Sequence, residues 1–138
     1  MKRVLTAVLA VALALGMAGC PRFEVTFPVT SQDFSINTSN QLVMVVRFNQ
    51  DVDLGGLIPG TNVILDTENI NNANITVSAG ATPNEIVVIS DDSIDTLLTF
   101  DPDGFFTLNL LSTGGNPVVS LTGTVLYEDF THNYTLLG

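Results

Sequence analysis

The chain has one cysteine, one histidine and no tryptophan, and each shortage excludes a class of protein. A lone cysteine, Cys20, cannot form an internal disulfide, so the chain is not a disulfide-stabilised scaffold. A lone histidine, His132, cannot supply the three or four His, Cys or carboxylate ligands of a common zinc site. Without tryptophan the chain lacks the side chain that most sugar-binding platforms use. The sequence also contains no glycine-rich phosphate loop and no Gly-x-Ser-x-Gly nucleophile motif.

Basic residues are equally scarce. Of the four, Lys2 and Arg3 lie at the extreme N-terminus, so Arg22 and Arg47 alone face 14 acidic residues over the rest of the chain, a formal charge of −12. A surface this acidic repels phosphate backbones and anionic lipid headgroups, which excludes nucleic acid as a partner. The acidity either keeps the protein solvated, the interpretation we favour, or attracts cations and basic partners.

The N-terminus is the one long apolar segment. Lys2 and Arg3 precede an apolar run over residues 4–17. As a helix this run spans about 21 Å, whereas the hydrocarbon core of a bilayer is about 30 Å thick. It is too short to cross a membrane comfortably and has the shape of a helical secretory signal. We therefore predict a signal peptide over 1–19, a short tether over 20–22 and one domain over 23–138.

Residues 15–20 read Leu-Gly-Met-Ala-Gly-Cys, which resembles the lipobox of bacterial lipoproteins. The resemblance implies that Cys20 carries several fatty acyl chains, palmitate among them, and becomes the first residue of the mature chain after cleavage. Several chains hold a protein to a membrane far more firmly than one. Pro21 follows Cys20, so no Asp stands there to retain the protein at the inner membrane; the outer membrane is favoured if the host has one. The alternative is ordinary secretion with a cut after Ala18 or Gly19.

Beyond the signal, apolar residues recur with period two, which is the pattern of β-strands. Polar turns separate the strands, and 101–104 (Asp-Pro-Asp-Gly) predicts a tight hairpin turn. We predict an all-β, Ig-like antiparallel sandwich of about seven or eight strands. The predicted strands are 23–29, 42–48, 75–79, 85–89, 97–100, 105–110, 119–125 and 131–137.

Three of these segments resemble, in order, strands of the SbsA-type bacterial Ig-like domains of envelope and surface-layer proteins. They are 45–53 (VVRFNQDVD), 97–102 (LLTFDP) and 104–110 (GFFTLNL), and the likeness extends over 23–137. The resemblance implies a spacer or binding module, and it carries no catalytic residues. It favours a structural, adhesive or protein-docking role in the cell envelope.

Acidic residues in three predicted loops are the candidates for a metal site. Calcium takes six to eight oxygen ligands, often from loop carboxylates, although aspartate also initiates turns through its own hydrogen bonds, which is the interpretation we favour. The loop of Asp91, Asp92 and Asp95 is the candidate for calcium; otherwise we predict no cofactor. The other acidic loops contain Asp51 with Asp53, and Asp101 with Asp103.

The remaining candidates are few. His132 shares a strand face with Tyr134 and is expected to pack there rather than act as a base, and a lipid would occupy Cys20, so we predict no enzyme. Phe105 and Phe106 are adjacent in a strand and must face opposite sides. Phe105 is therefore a candidate contact for a protein partner. The sequence predicts a lipid-anchored, non-catalytic envelope module; the alternative is a small-ligand or calcium-binding envelope lipoprotein.

Overall fold

A computed structural model describes residues 26–136, and the predicted signal and tether, including Cys20, lie outside this range. The described chain forms seven strands, one short helix and one 3-10 turn. No helix within it is long and apolar enough to cross a membrane. The strands are β1 (Val29–Ile36), β2 (Gln41–Phe48), β3 (Val63–Thr67), β4 (Ile75–Ala79), β5 (Glu85–Ser93), β6 (Phe105–Leu110) and β7 (Phe130–Thr135); the helix is α1 (Ile94–Phe100), and the 3-10 turn spans Leu54–Gly56.

The strands form two antiparallel sheets. One sheet has the order β1-β2-β5-β4 and the other the order β3-β6-β7. With strands lettered A to G along the chain, these orders are A-B-E-D and C-F-G, which is the arrangement of the constant-type immunoglobulin domain. The predicted Ig-like β-sandwich is therefore confirmed.

The core lies between the two sheets, where the inward-facing residues of each strand meet. Every second residue of β2 is buried, and so is every second residue of β6 from Phe106 onward. Successive side chains of a strand point to opposite faces, so this period-two burial gives each sheet one apolar face. Phe27 and Phe48 stack in this core with ring centroids 4.8 Å apart.

Five predicted strands are confirmed, with small changes of boundary. The segments 42–48, 75–79, 85–89 and 105–110 correspond to β2, β4, β5 and β6, and 131–137 corresponds to β7. These are the segments in which alternation or a continuous apolar run is clearest. The pattern works there because each strand lies against the core with one face or both.

The predicted strand at 97–100 is wrong, because this segment is the second half of helix α1. Ser93 caps the helix by accepting a hydrogen bond from the backbone N–H of Thr96 at 3.3 Å, and Ile94 and Leu97 are buried on one side. A four-residue segment with three apolar side chains does not distinguish helix from strand. The helical signal lies upstream, in the capping serine and in the i, i+3 spacing of Ile94 and Leu97.

The other differences concern strands at the edges of the sandwich. Of the predicted strand 23–29, residues 23–25 lie outside the described range, Phe27 forms only an isolated parallel bridge with Leu126, and β1 begins at Val29. The segment 119–125 is not an extended strand, because it folds back at a tight turn where the N–H of Ser120 donates to the carbonyl of Thr124. Its ends meet in one bridge between Val119 and Val125.

Strand β3 is absent from the predicted set although Val63, Leu65 and Thr67 alternate with half-buried residues. The loop before it is ordered by Asn62, which is fully buried. The Asn62 side chain accepts from the N–H of Ile58 and donates to the carbonyls of Gly56 and Asn116. Asn62, with its three backbone partners, therefore orders the loop that leads into β3. The sequence pattern missed this strand because a polar residue stands immediately before it.

Candidate functional site

Three carboxylates meet at one end of the sandwich. Glu68, Asp101 and Asp103 each offer an oxygen, and these three oxygens all lie within 4.8 Å of one another. Among residues 26–136 this is the one group of three or more histidine, cysteine or acidic side chains that meets this distance. We refer to it as the carboxylate cluster.

The pairing of β3 with β6 brings the carboxylate cluster together. Thr67, the last residue of β3, pairs with Phe106 near the start of β6, so Glu68 lies beside the segment that leads into β6. That segment is a turn closed by a 3.0 Å hydrogen bond from the N–H of Gly104 to the carbonyl of Asp101. Gly104 has φ +69°, a left-handed conformation that glycine adopts at no steric cost. The predicted turn at 101–104 is present, but the prediction that it closes a hairpin is wrong, because it joins helix α1 to β6 rather than two strands.

Asp101 is the buried member of the cluster. Its residue has no exposed surface, and one carboxylate oxygen, Oδ2, accepts a hydrogen bond from the N–H of Glu68. Its other oxygen, Oδ1, is buried without a hydrogen-bond partner among the described residues. A buried carboxylate oxygen without a partner costs free energy of folding unless a hydrogen-bond donor or a cation completes it.

Residues 26–136 supply no such group beside the cluster. Arg47 is the one lysine or arginine among residues 26–136. It forms ion pairs with Asp33 at 2.6 Å and Glu85 at 2.8 Å on the other sheet. The pKa of Glu68 is raised, first by a hydrogen bond shared with Asp103 and then by repulsion from the Asp103 charge, by burial and by the charge of Asp101.

The candidate calcium ligands of the sequence analysis, Asp91, Asp92 and Asp95, do not converge in this way. Asp91 accepts a 2.7 Å hydrogen bond from the hydroxyl of Thr76, and Asp95 accepts one of 3.0 Å from the side-chain amide of Asn40. The backbone carbonyl of Asp92 accepts from the buried hydroxyl of Ser90. All three aspartates are exposed. The first contact joins β5 to β4, the second joins α1 to the loop before β2, and the third lies within β5.

Phe105 lies beside the carboxylate cluster on the outer surface. It is 49% exposed, whereas its neighbour Phe106 is fully buried, as the alternation of a strand requires. Phe100, at the end of α1, is 55% exposed. Two exposed aromatic side chains therefore flank the turn that carries Asp101 and Asp103.

His132 occupies a packing position. Its ring is nearly parallel to that of Phe130, at 6° with centroids 6.1 Å apart, and it meets the edge of Tyr134 at 4.8 Å. In both contacts the imidazole ring of His132 packs against a neighbouring aromatic ring. The structure thus places the histidine in a row of aromatic rings on β7.

The sequence signal for the carboxylate cluster was incomplete. Asp101 and Asp103 were recognised as loop acids, but Glu68 lies more than 30 residues earlier and follows a strand that was not predicted. Only the pairing of β3 with β6 makes the three residues neighbours. The chain matches no protein-family model, and no curated protein matches it.

Proposed function

We propose that this chain is a lipid-anchored cell-envelope protein whose Ig-like sandwich is a non-catalytic module for structural, adhesive or protein-docking contacts. The observation that carries the proposal is the short distance between the lipobox-like cysteine and the fold. Phe27 is fully buried and stacked on Phe48, only seven positions after Cys20. Seven extended residues span at most about 25 Å, so a lipid on Cys20 would hold the sandwich against the membrane.

The tether defines two ends of the sandwich. The tether end comprises 26–28, 49–53 and 118–127, which the hydrogen bonds of Phe27 with Tyr127 and of Asp53 with Val119 join together. The far end comprises 37–40, 67–69 and 93–105, joined by the hydrogen bond from the N–H of Ile94 to the carbonyl of Asn40. With the tether end at the lipid surface, the far end projects outward and Phe105 becomes available to a partner.

Two clefts among the described residues are smaller than a usual small-molecule site, which favours a contact surface over a binding pocket at these two places. A cleft of about 190 Å³ lies between Pro28, Val29 and residues 128–131, and another of about 120 Å³ lies beside Pro59 and residues 72–75. Small-molecule sites occupy roughly 300 to 1,000 Å³. Both clefts are smaller, and both are open to solvent.

Replacing Cys20 tests the anchor. In a bacterial host fed a clickable palmitate analogue, the full chain should become labelled and fractionate with membranes. Cys20→Ala should lose the label. When membranes are dissolved in a detergent that separates into two phases, the variant should no longer enter the detergent phase. Equal labelling of wild type and Cys20→Ala would contradict lipid anchoring at this residue.

Photo-crosslinking tests the orientation. A photoreactive amino acid is placed at Phe105 of the far end or at Leu121 of the tether end, which is 63% exposed and serves as a matched control. In intact cells the far-end probe should give discrete protein adducts, and the tether-end probe should not. The reverse pattern would contradict the proposed outward contact surface.

A further inference from the structure

We propose that Glu68, Asp101 and Asp103 bind one Ca²⁺ ion where β3, α1 and β6 meet. The proposal does not depend on lipid anchoring, because the three ligands belong to the sandwich itself. It also differs from the calcium candidates of the sequence analysis, Asp91, Asp92 and Asp95, none of which belongs to the group. Two independent observations carry it: the convergence of three carboxylates and the unpartnered buried oxygen of Asp101.

The spacing of the oxygens suits a single calcium ion. Ca²⁺–oxygen distances are about 2.3 to 2.6 Å, so two oxygens on the same ion lie at most about 5 Å apart. The three carboxylate oxygens of the cluster all lie within 4.8 Å of one another. One ion can therefore contact Glu68, Asp101 and Asp103 with little movement of the backbone.

Asp101 supplies the strongest evidence for a ligand. It is completely buried at the C-terminal cap of α1, with its N–H bonded to the carbonyl of Leu97 at 2.9 Å. Its Oδ2 is occupied by the N–H of Glu68, whereas Oδ1 has no hydrogen-bond donor among the described residues. A bound cation would satisfy Oδ1 in the way that a buried carboxylate requires.

The charge balance and the ligand type define the class of ion. Three carboxylates gather at the C-terminal end of a helix, where the backbone carbonyls add partial negative charge. Arg47, the one arginine or lysine in 26–136, is already paired on the other sheet. An all-oxygen ligand set favours a hard cation over zinc or copper. Exposed Glu68 and Asp103 leave room for water ligands and for the irregular geometry that Ca²⁺ accepts more readily than Mg²⁺.

Binding would join three segments that are distant in sequence. The ion would connect the end of β3 through Glu68 to the end of α1 through Asp101 and to the start of β6 through Asp103. It would thereby fix the turn that carries exposed Phe100 and Phe105. Calcium is expected to stiffen this surface and to stabilise the sandwich against unfolding.

The test measures the thermal stability of the full chain in detergent, with Ca²⁺ alone as the probe and EDTA as the reference. Sites of this kind in extracellular modules have a Kd of roughly 10⁻⁴ to 10⁻³ M. At ten times the Kd, Tm should rise by about 5 °C, with Mg²⁺ and NaCl of equal ionic strength giving a smaller rise. The double variant Glu68→Gln with Asp103→Asn should lose this rise, and its Tm in EDTA should match or exceed that of wild type because repulsion is relieved.

The matched control is Asp91→Asn with Asp92→Asn, which removes the same number of charges from the exposed end of β5. It should keep the full calcium response. The proposal is overturned if wild type shows neither a change in Tm nor a heat of binding up to 10 mM Ca²⁺. It is also overturned if the Glu68/Asp103 variant keeps the response, if the control loses it, or if Mg²⁺ matches it.

Discussion

Single buried polar residues show how completely this sandwich satisfies its interior. Asn62 makes three hydrogen bonds, and Ser90 accepts from the N–H of Leu42 at 2.9 Å while donating to the carbonyl of Asp92. Against this background, the described residues contain two buried side-chain atoms without a partner, Asp101 Oδ1 and Tyr134 Oη. The first lies in the carboxylate cluster, and the second belongs to Tyr134, whose ring stacks on Phe34.

Removing the Tyr134 hydroxyl should stabilise the protein. The ring is 5% exposed and stacks on Phe34 with centroids 5.2 Å apart, and Tyr134→Phe keeps that stack. Because the variant no longer buries an unpaired hydroxyl, its free energy of unfolding should rise by about 1 kcal/mol. Urea denaturation near neutral pH measures the change, and a loss of stability would show that the hydroxyl has a partner.

The same residue predicts how stability changes at high pH. Burial, and then the charge of Asp33, raises the pKa of Tyr134 to about 12. A tyrosine in the unfolded chain has a pKa near 10, so the folded state holds the Tyr134 proton more tightly. As the pH rises from about 10 to 12, the unfolded chain ionises first and the free energy of unfolding falls. Over this range the free energy of unfolding should fall by up to about 2 kcal/mol more for wild type than for Tyr134→Phe. Parallel denaturation curves at several pH values check this, and equal losses would refute it.

At the scale of elements, short turns decide where strands begin and end. The β4–β5 hairpin closes through a 2.9 Å hydrogen bond from the N–H of Gly80 to the carbonyl of Glu85. The Glu85 carboxylate lies over this turn, where it accepts from the N–H of Ala81 and pairs with Arg47. The hairpin and the ion pair therefore share one side chain.

Gly80→Ala should weaken this hairpin. A Cβ at Gly80 would lie 2.5 Å from Cγ and Oε1 of Glu85, so the Glu85 side chain would have to move off both partners. The expected loss is about 1 to 3 kcal/mol in the free energy of unfolding. Gly115→Ala is the matched control, because a Cβ there meets nothing within 4 Å. Thermal denaturation of both variants tests this, and equal Tm values would contradict the predicted clash.

Helix α1 is the one element whose type was predicted wrongly, because a short apolar segment fits either a helix or a strand. Residues 97–100 are apolar enough for a strand, yet the chain leaves β5 at Ser93 and forms a helix that crosses toward the second sheet. Leu97 is buried on one side of this helix and Phe100 is exposed on the other. Because the helix ends at Asp101, its position also determines where the carboxylate cluster forms.

For the whole molecule, the dominant electrostatic feature is unbalanced negative charge. Thirteen of the acidic residues lie within 26–136, where Arg47 is the only lysine or arginine. Its two ion pairs attach β1 and β5 to β2, and like-charge repulsion acts over the remaining surface. This net charge favours hydration of the surface of the sandwich at some cost in stability.

Salt should therefore stabilise the fold. Raising NaCl from 10 to 300 mM shortens the screening length from about 30 Å to less than 10 Å and weakens the repulsion between distant carboxylates. With EDTA present, Tm should rise by several degrees over this range of NaCl. Sucrose at equal osmolality is the control, because it adds no ions and should not give the same rise. A Tm that falls with NaCl would show that the Arg47 ion pairs outweigh the repulsion.

The sequence by itself determined the class of fold, because period-two burial is a local pattern. The alternation within residues 42–48 and 105–110 is enough to show which side chains face the core. It also determined the turn at 101–104 and the opposed faces of Phe105 and Phe106, since both follow from neighbouring residues. Only the tertiary structure decided that Glu68 meets Asp101 and Asp103, because this requires the pairing of β3 with β6 and the helical form of α1. The sequence identifies the acidic residues, whereas strand pairing determines which of them become neighbours.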